Sequence, residues 1–196
     1  TNKEFINQEF IDNILKFKDD FEYLVHSPVD YCNENVIDFA FAVDSRILVV
    51  HYYDNFEEDI QRLLDYAESK NIKICLENGV IDIRKPTKMD EFVYFKKKFP
   101  QLKFILDIEH ASITNIFPEA LIKFASDIKH IHLTGYPPHH HSPPQENPDI
   151  AKQVFKILKE IGYNGFVTAE MDKRFQTENI LRETREFMEK MMKSSE

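Results

Sequence analysis

Phe104-Ile105-Leu106-Asp107-Ile108-Glu109-His110-Ala111 is the stretch on which the reading of this chain turns. Three large apolar residues run straight into an acid, and a second acid and an imidazole follow within three positions. Apolar runs this short, rich in β-branched and aromatic residues, mark strands buried on both faces of a parallel sheet. The arrangement recurs along the chain. Apolar runs occupy 21–25, 47–50, 72–76, 104–106, 128–133 and 166–169. Between them lie helical periodicities. Phe56, Ile60, Leu63, Leu64 and Ala67 share one face behind a cap expected at Asp54 or Asn55. Thr87 with Asp90 is expected to start the next helix, whose apolar face is Met89, Phe92, Val93 and Phe95 and which Pro100 stops. Pro118 suits the first turn of a helix carrying Leu121, Ile122 and Ala125. Ile150, Val154, Ile157, Leu158 and Ile161 line another, closed by Gly162. Residues 5–15 and 177–192 are helical at the two ends, and 32–42 reads as a short helix. Strand–helix alternation of this kind means an α/β fold with a parallel sheet and helices packed outside it.

Composition narrows the class. The chain has 196 residues, is 42% hydrophobic and carries a formal net charge of −9. That suits one globular domain over 1–196, with two domains cramped. No apolar run reaches the ~18 residues of a membrane span, and TNKEFINQEF lacks a signal peptide's apolar stretch. Cys32 and Cys75 are too few to staple a scaffold, so a reduced, cytoplasmic setting is expected. The acidic balance argues against a dedicated nucleic-acid binder.

Chemistry sits where the apolar runs end. His26, His51, Glu77, Asp107 and Glu170 each follow such a run, and His132 lies within the fifth. Their separations of 25, 26, 30, 25 and 38 residues are each about one strand–helix unit. In parallel α/β folds ligands bind at the C-terminal ends of the strands, so the six are expected to converge. Any one of them alone reads as a helix cap or a satisfied polar contact, but repetition at every strand end points to a shared site. Imidazoles mixed with carboxylates suit a divalent cation such as Zn or Mn, with Co or Mg as other options. His110, three residues after Asp107, is a further candidate ligand, as is His141 in the internal Pro137-Pro138-His139-His140-His141 loop. Of His130 and His132, one is expected to face the site and the other the helices, with His132 assigned to the site. Lys173 and Arg174 follow Glu170 and read either as binders of an anionic substrate group or as solvated helix-start residues.

Taken together these pieces resemble the xylose isomerase-like TIM barrels, the superfamily joining sugar isomerases and epimerases with the endonuclease IV type of abasic-site endonuclease. The resemblance runs from His26-Ser27-Pro28 through Leu76-Glu77-Asn78, Asp107 to Ala111 and His130 to Leu133, and on to His141 and Glu170 after Gly162–Gly165. It implies a barrel with about six of eight strand–helix units, the first two missing. The absent initiator Met fits a chain incomplete at its N-terminus. An open edge at 21–25 would then need a cover such as a second subunit in a homo-oligomer.

The resemblance also implies chemistry. The epimerase branch's single-metal quartet falls on Glu77, Asp107, His132 and Glu170, the two glutamates doubling as the acid/base pair of a sugar or polyol isomerisation. His26, His51, Lys173 and Arg174 are then substrate-binding candidates, and His110 and His141 further metal ligands. The endonuclease branch is the alternative. Its three-zinc site would draw in His26, His51, His110, His139 and His141, although His139 stands where that branch carries an Asp. A barrel that binds a metal or ligand without catalysis is the third option.

Overall fold

The structure, a computed structural model, describes residues 7–79 and 89–194. Thr87, the expected helix start, lies outside them, as do residues 5 and 6. The described residues fall into two compact units: residues up to 77 with 95–103, and residues 78–79 and 89–94 with those from 104 on.

In the first unit α1 (Gln8–Leu15), β1 (Val25–His26), α2 (Glu34–Ala42), β2 (Ile47–Val50), α3 (Phe56–Ser69) and β3 (Lys73–Glu77) follow one another. β1 pairs in parallel with β2, His26 opposite Val49, and β2 with β3, Val50 opposite Leu76. The core is Ile37, Leu48, Ile60, Leu63 and Phe56, with Phe95 set edge-on to Phe56 at 5.8 Å between centroids. Asn33 caps α2 by accepting from the Val36 amide at 3.3 Å. Asn55 stands before α3 in a left-handed conformation, φ 66°, and makes no side-chain cap bond. The run at 21–25 shrinks to the two residues Val25–His26. Phe21 is 61% exposed, and the Tyr23 hydroxyl donates to the Ile14 carbonyl at 2.6 Å, which holds this segment against the end of α1.

The second unit holds the first part of α4 (Met89–Lys98), β4 (Lys103–Asp107) from Phe104 on, α5 (Ile108–Ile113), α6 (Glu119–Lys123), β5 (Ile128–Leu133), α7 (Pro148–Glu160), β6 (Phe166–Ala169) and α8 (Glu178–Ser194). β4 pairs in parallel with β5, and β5 with β6. Phe92, Phe104 and Phe124 form its aromatic core. α7 closes as its sequence predicts. Gly162 sits at φ 63°, its amide bonds the Lys159 carbonyl, and the Tyr163 amide bonds that of Leu158, a Schellman cap.

A register shift between Phe104 and Ile105 sets the geometry of this unit. Phe104 lies opposite Ile128 but Ile105 opposite His130, so Lys129 is the extra residue of a bulge. The shift carries Asp107 into register with His132 rather than Ile131. A one-residue slip exchanges the faces of a strand, so the bulge decides which β5 side chain stands beside Asp107. Gly165 makes room for it, since a Cβ there would lie 2.7 Å from the Lys129 carbonyl oxygen.

Candidate metal centre

Each unit gathers its own donors. In the first, His26 ends β1, His51 follows β2 and Glu77 ends β3, and parallel pairing brings these ends together. One donor atom from each lies within 4.8 Å of the others. His26 Nε2 is 3.1 Å and His51 Nε2 3.6 Å from Glu77 Oε2, whose side chain is 1% exposed. The His26 Nδ1 stands 2.8 Å from the Ser27 carbonyl oxygen. A carbonyl only accepts, so Nδ1 carries a proton. Nε2 then faces a carboxylate with either a second proton or a lone pair aimed at a shared cation.

In the second unit Asp107 ends β4, His132 is next to last in β5, and Glu170 follows β6 with its amide donating to the Leu133 carbonyl at 3.1 Å. Donor atoms of the three again lie within 4.8 Å of one another. Asp107 is fully buried, and His132 Nδ1 stands 3.0 Å from Glu170 Oε2. Asn78 locks the Asp107 backbone from both sides, donating to its carbonyl at 3.0 Å and accepting from its amide at 2.7 Å. Asp107 Oδ1 meanwhile accepts the His110 amide at 2.7 Å and so caps α5. Two carboxylates and one imidazole, Asp107 and His132 buried and Glu170 partly exposed, form a set of hard and borderline donors that fits a divalent cation.

The other predicted residues fall outside these donor sets. His110 turns its Nδ1 to the Asn78 carbonyl at 2.8 Å, which fixes that nitrogen as the protonated one. His141, at φ 46°, holds its Nδ1 4.0 Å from Glu170 Oε2. Lys173 and Arg174 lie on an exposed single turn, where Arg174 spreads over the Phe175 ring and reaches Asp172 and the His140 carbonyl. His130 does not face away from His132. Residues i and i+2 of a strand share a face, and the two rings lie 4.6 Å apart. His130 is instead occupied with the Thr168 hydroxyl at 2.8 Å, a structural contact.

Sequence reasoning missed Glu109. Its carboxylate is 1% exposed and accepts from the Thr134 hydroxyl and the His141 amide, each at 2.9 Å, while His140 Nδ1 closes on its other oxygen. An acid on the first turn of a helix usually faces solvent. The one available signal was that Ile108 and Ala111, its neighbours, are both core residues.

With this geometry the relationships become specific. The model of the xylose isomerase-like TIM barrel family matches residues 23–191, and the chain belongs to that family. An uncharacterized protein of Methanocaldococcus jannaschii is 31% identical over 126 residues, covering 62% of this chain and 46% of that relative. The chain thus spans about half that relative's length. Among solved structures, an L-ribulose 3-epimerase superposes with a TM-score of 0.68 at 12% identity, over 94% of this chain and 80% of that one. The apo form of 3-keto-D-glucoside 4-epimerase from E. coli gives 0.66 at 14% identity, over 94% and 86%. These last two likenesses are of fold, and both neighbours are sugar epimerases.

Proposed function

We propose that this protein is a divalent-metal-dependent isomerase or epimerase of a sugar or sugar phosphate. The observation that carries the reading is the trio Asp107, His132 and Glu170, donors from three successive strand ends gathered within 4.8 Å. The family and its epimerase neighbours support the substrate class. Asp107, His132 and Glu170 would hold the cation, and the resemblance to the family's epimerase branch adds Glu77 as a fourth ligand. What a cation supplies there is positive charge beside adjacent carbonyl and hydroxyl oxygens, which makes the neighbouring C–H acidic.

The chain's own groups do the rest. Glu170, about one-third exposed and steadied by His132, is accessible to a substrate and takes the C–H proton on its carboxylate. Glu77 is the second acid/base: its carboxylate takes the substrate's hydroxyl proton or, once protonated, returns one to carbon, with His26 and His51 beside it. Lys173 and Arg174 are the groups proposed to meet an anionic end of the substrate.

The deciding experiment is metal analysis of protein purified without added metal, followed by ketose epimerisation assays with Mn, Co or Zn. One equivalent of metal with metal-dependent epimerisation is expected, and its absence with every ketose and metal tried would overturn the reading. A second reading has its own observation. His26, His51 and Glu77 also form a donor trio, as a multinuclear zinc phosphodiesterase would need. Three equivalents of zinc together with incision of abasic duplex DNA would select it.

A further inference from the structure

The loop after β5 is tied down in an unusual way. Its neck closes where the Gly135 amide donates to the Ser142 carbonyl at 2.8 Å. A Cβ on Gly135 would stand 2.2 Å from the Pro143 carbonyl oxygen, so only glycine fits there. His141 is pinned at both backbone ends: its amide donates to Glu109 Oε2 at 2.9 Å, and its carbonyl accepts from the Asp172 amide at 2.8 Å. That clamp holds a non-glycine residue at φ 46°, a conformation its Cβ disfavours. The residue so constrained keeps its imidazole 4.0 Å from Glu170 Oε2.

Glu109 is the centre of this clamp. It is buried and gathers three donors, all from the loop. A buried carboxylate is costly unless such donors surround it, so its presence forces Thr134, His140 and His141 into one arrangement. Asp107 and Glu109 thus divide the work of one short segment, the first facing the donor cluster and the second the loop that returns to it.

We propose that Glu109 is a positioning residue, whose carboxylate templates the 134–141 loop so that the His141 imidazole is presented to a divalent cation held by Asp107, His132 and Glu170. This rests on the reading of that trio as a metal site.

The test is calorimetric titration with Zn2+ and with Mn2+ alone, on wild type, Glu109→Gln, His141→Ala, the double variant and Asp107→Asn, each checked for fold by circular dichroism. Glu109→Gln keeps the size of the side chain but offers an amide where two donors point. It is expected to weaken cation affinity about 10- to 100-fold, the usual effect of losing an outer-shell partner. His141→Ala is expected to weaken it similarly, and the double variant no further than His141→Ala alone. Should Glu109→Gln fail to fold, Thr134→Val removes one clamp donor and is expected to cost severalfold, with Thr134→Ser restoring wild-type affinity. Wild-type affinity in Glu109→Gln, or additive losses in the double variant, would overturn the positioning role while Asp107→Asn still abolishes binding. If Asp107→Asn also binds like wild type, the metal reading itself falls, and the proposal with it.

Discussion

Both donor clusters mix imidazoles with carboxylates at strand ends, yet their charge is balanced differently. His26, His51 and Glu77 set one buried carboxylate against two imidazoles, so a proton on either ring neutralises the group. Asp107, His132 and Glu170 set two carboxylates against one imidazole, and a single proton on His132 leaves a net negative charge. The first cluster can satisfy itself. The second calls for a cation, because two carboxylates brought close inside a protein repel unless a positive charge intervenes. Alternation of histidines and acids along a sequence therefore does not mean equivalent sites. The ratio of acid to imidazole within each cluster decides which one needs a metal.

The sharpest way to break this contrast is Asp107→Asn. Asn caps helices as well as Asp does, so the bond to the His110 amide survives and the fold should hold. Cation affinity is nevertheless expected to fall by more than about 100-fold, beyond the loss typical of an outer-shell partner. Thermal melts with and without Zn2+ or Mn2+ would show it. Wild type should gain about 2.7 kcal/mol at 100 times its Kd, and the variant less than about 0.4 kcal/mol. An unchanged metal-dependent shift would mean that Asp107 is only a cap.

Neutralising one acid in each cluster, with metal removed by chelation, tests the charge argument itself. Glu77→Gln leaves two imidazoles without their carboxylate and is expected to cost about 1–3 kcal/mol in urea unfolding. Glu170→Gln relieves repulsion with Asp107 while loosening His132, so its stability should stay within about 0.5 kcal/mol of wild type. Equal losses for the two variants would abolish the distinction between the clusters.

How much of this was legible beforehand depends on the physics of each feature. The strands after the first could be read because buried parallel strands are short apolar runs, and 47–50, 128–133 and 166–169 coincide with β2, β5 and β6. Residues 21–25 carry the same composition, but the Tyr23 hydroxyl is drawn to Ile14, a tertiary choice that no local pattern encodes. The placement of His130 and His132 on opposite faces was an error of period, since the two-residue repeat of a strand puts them together. The bulge at Lys129 had no local signature, and the clamp at Glu109 only the apolar Ile108 and Ala111 beside it. Each depends on another segment coming back, Gly165 in one case and the 134–141 loop in the other.

Gly165→Ala sharpens the comparison from the geometric side. The new methyl would meet the Lys129 carbonyl at 2.7 Å and the Tyr163 hydroxyl at 2.3 Å. Tyr163 can swing aside, but the carbonyl belongs to the bulge that aligns Asp107 with His132. A loss of about 1–3 kcal/mol is expected, as for overpacking elsewhere. Metal affinity should fall with it, whereas the His26–His51–Glu77 contacts should be untouched. Stability lost without any change in affinity would show that the register survives the clash.

The smallest effect is the most local. Both cysteines, Cys32 and Cys75, are buried and belong to the first unit. Burial pushes the Cys32 thiol up to about 12, so at pH 8 roughly one in 10,000 such thiols is ionised in the folded state. Iodoacetamide should therefore label Cys32 only when the first unit opens, at a rate set by the free energy of opening. Glu77→Gln, by loosening that unit by about 1–3 kcal/mol, is expected to speed labelling about 5- to 150-fold. Glu170→Gln, in the other unit, should leave the rate within about twofold of wild type. Mass spectrometry of the carbamidomethylated protein resolves the two cysteines and the two variants together. Equal acceleration in both variants would mean that the units open as one, and that the self-sufficiency of the first cluster has no consequence for its own unit.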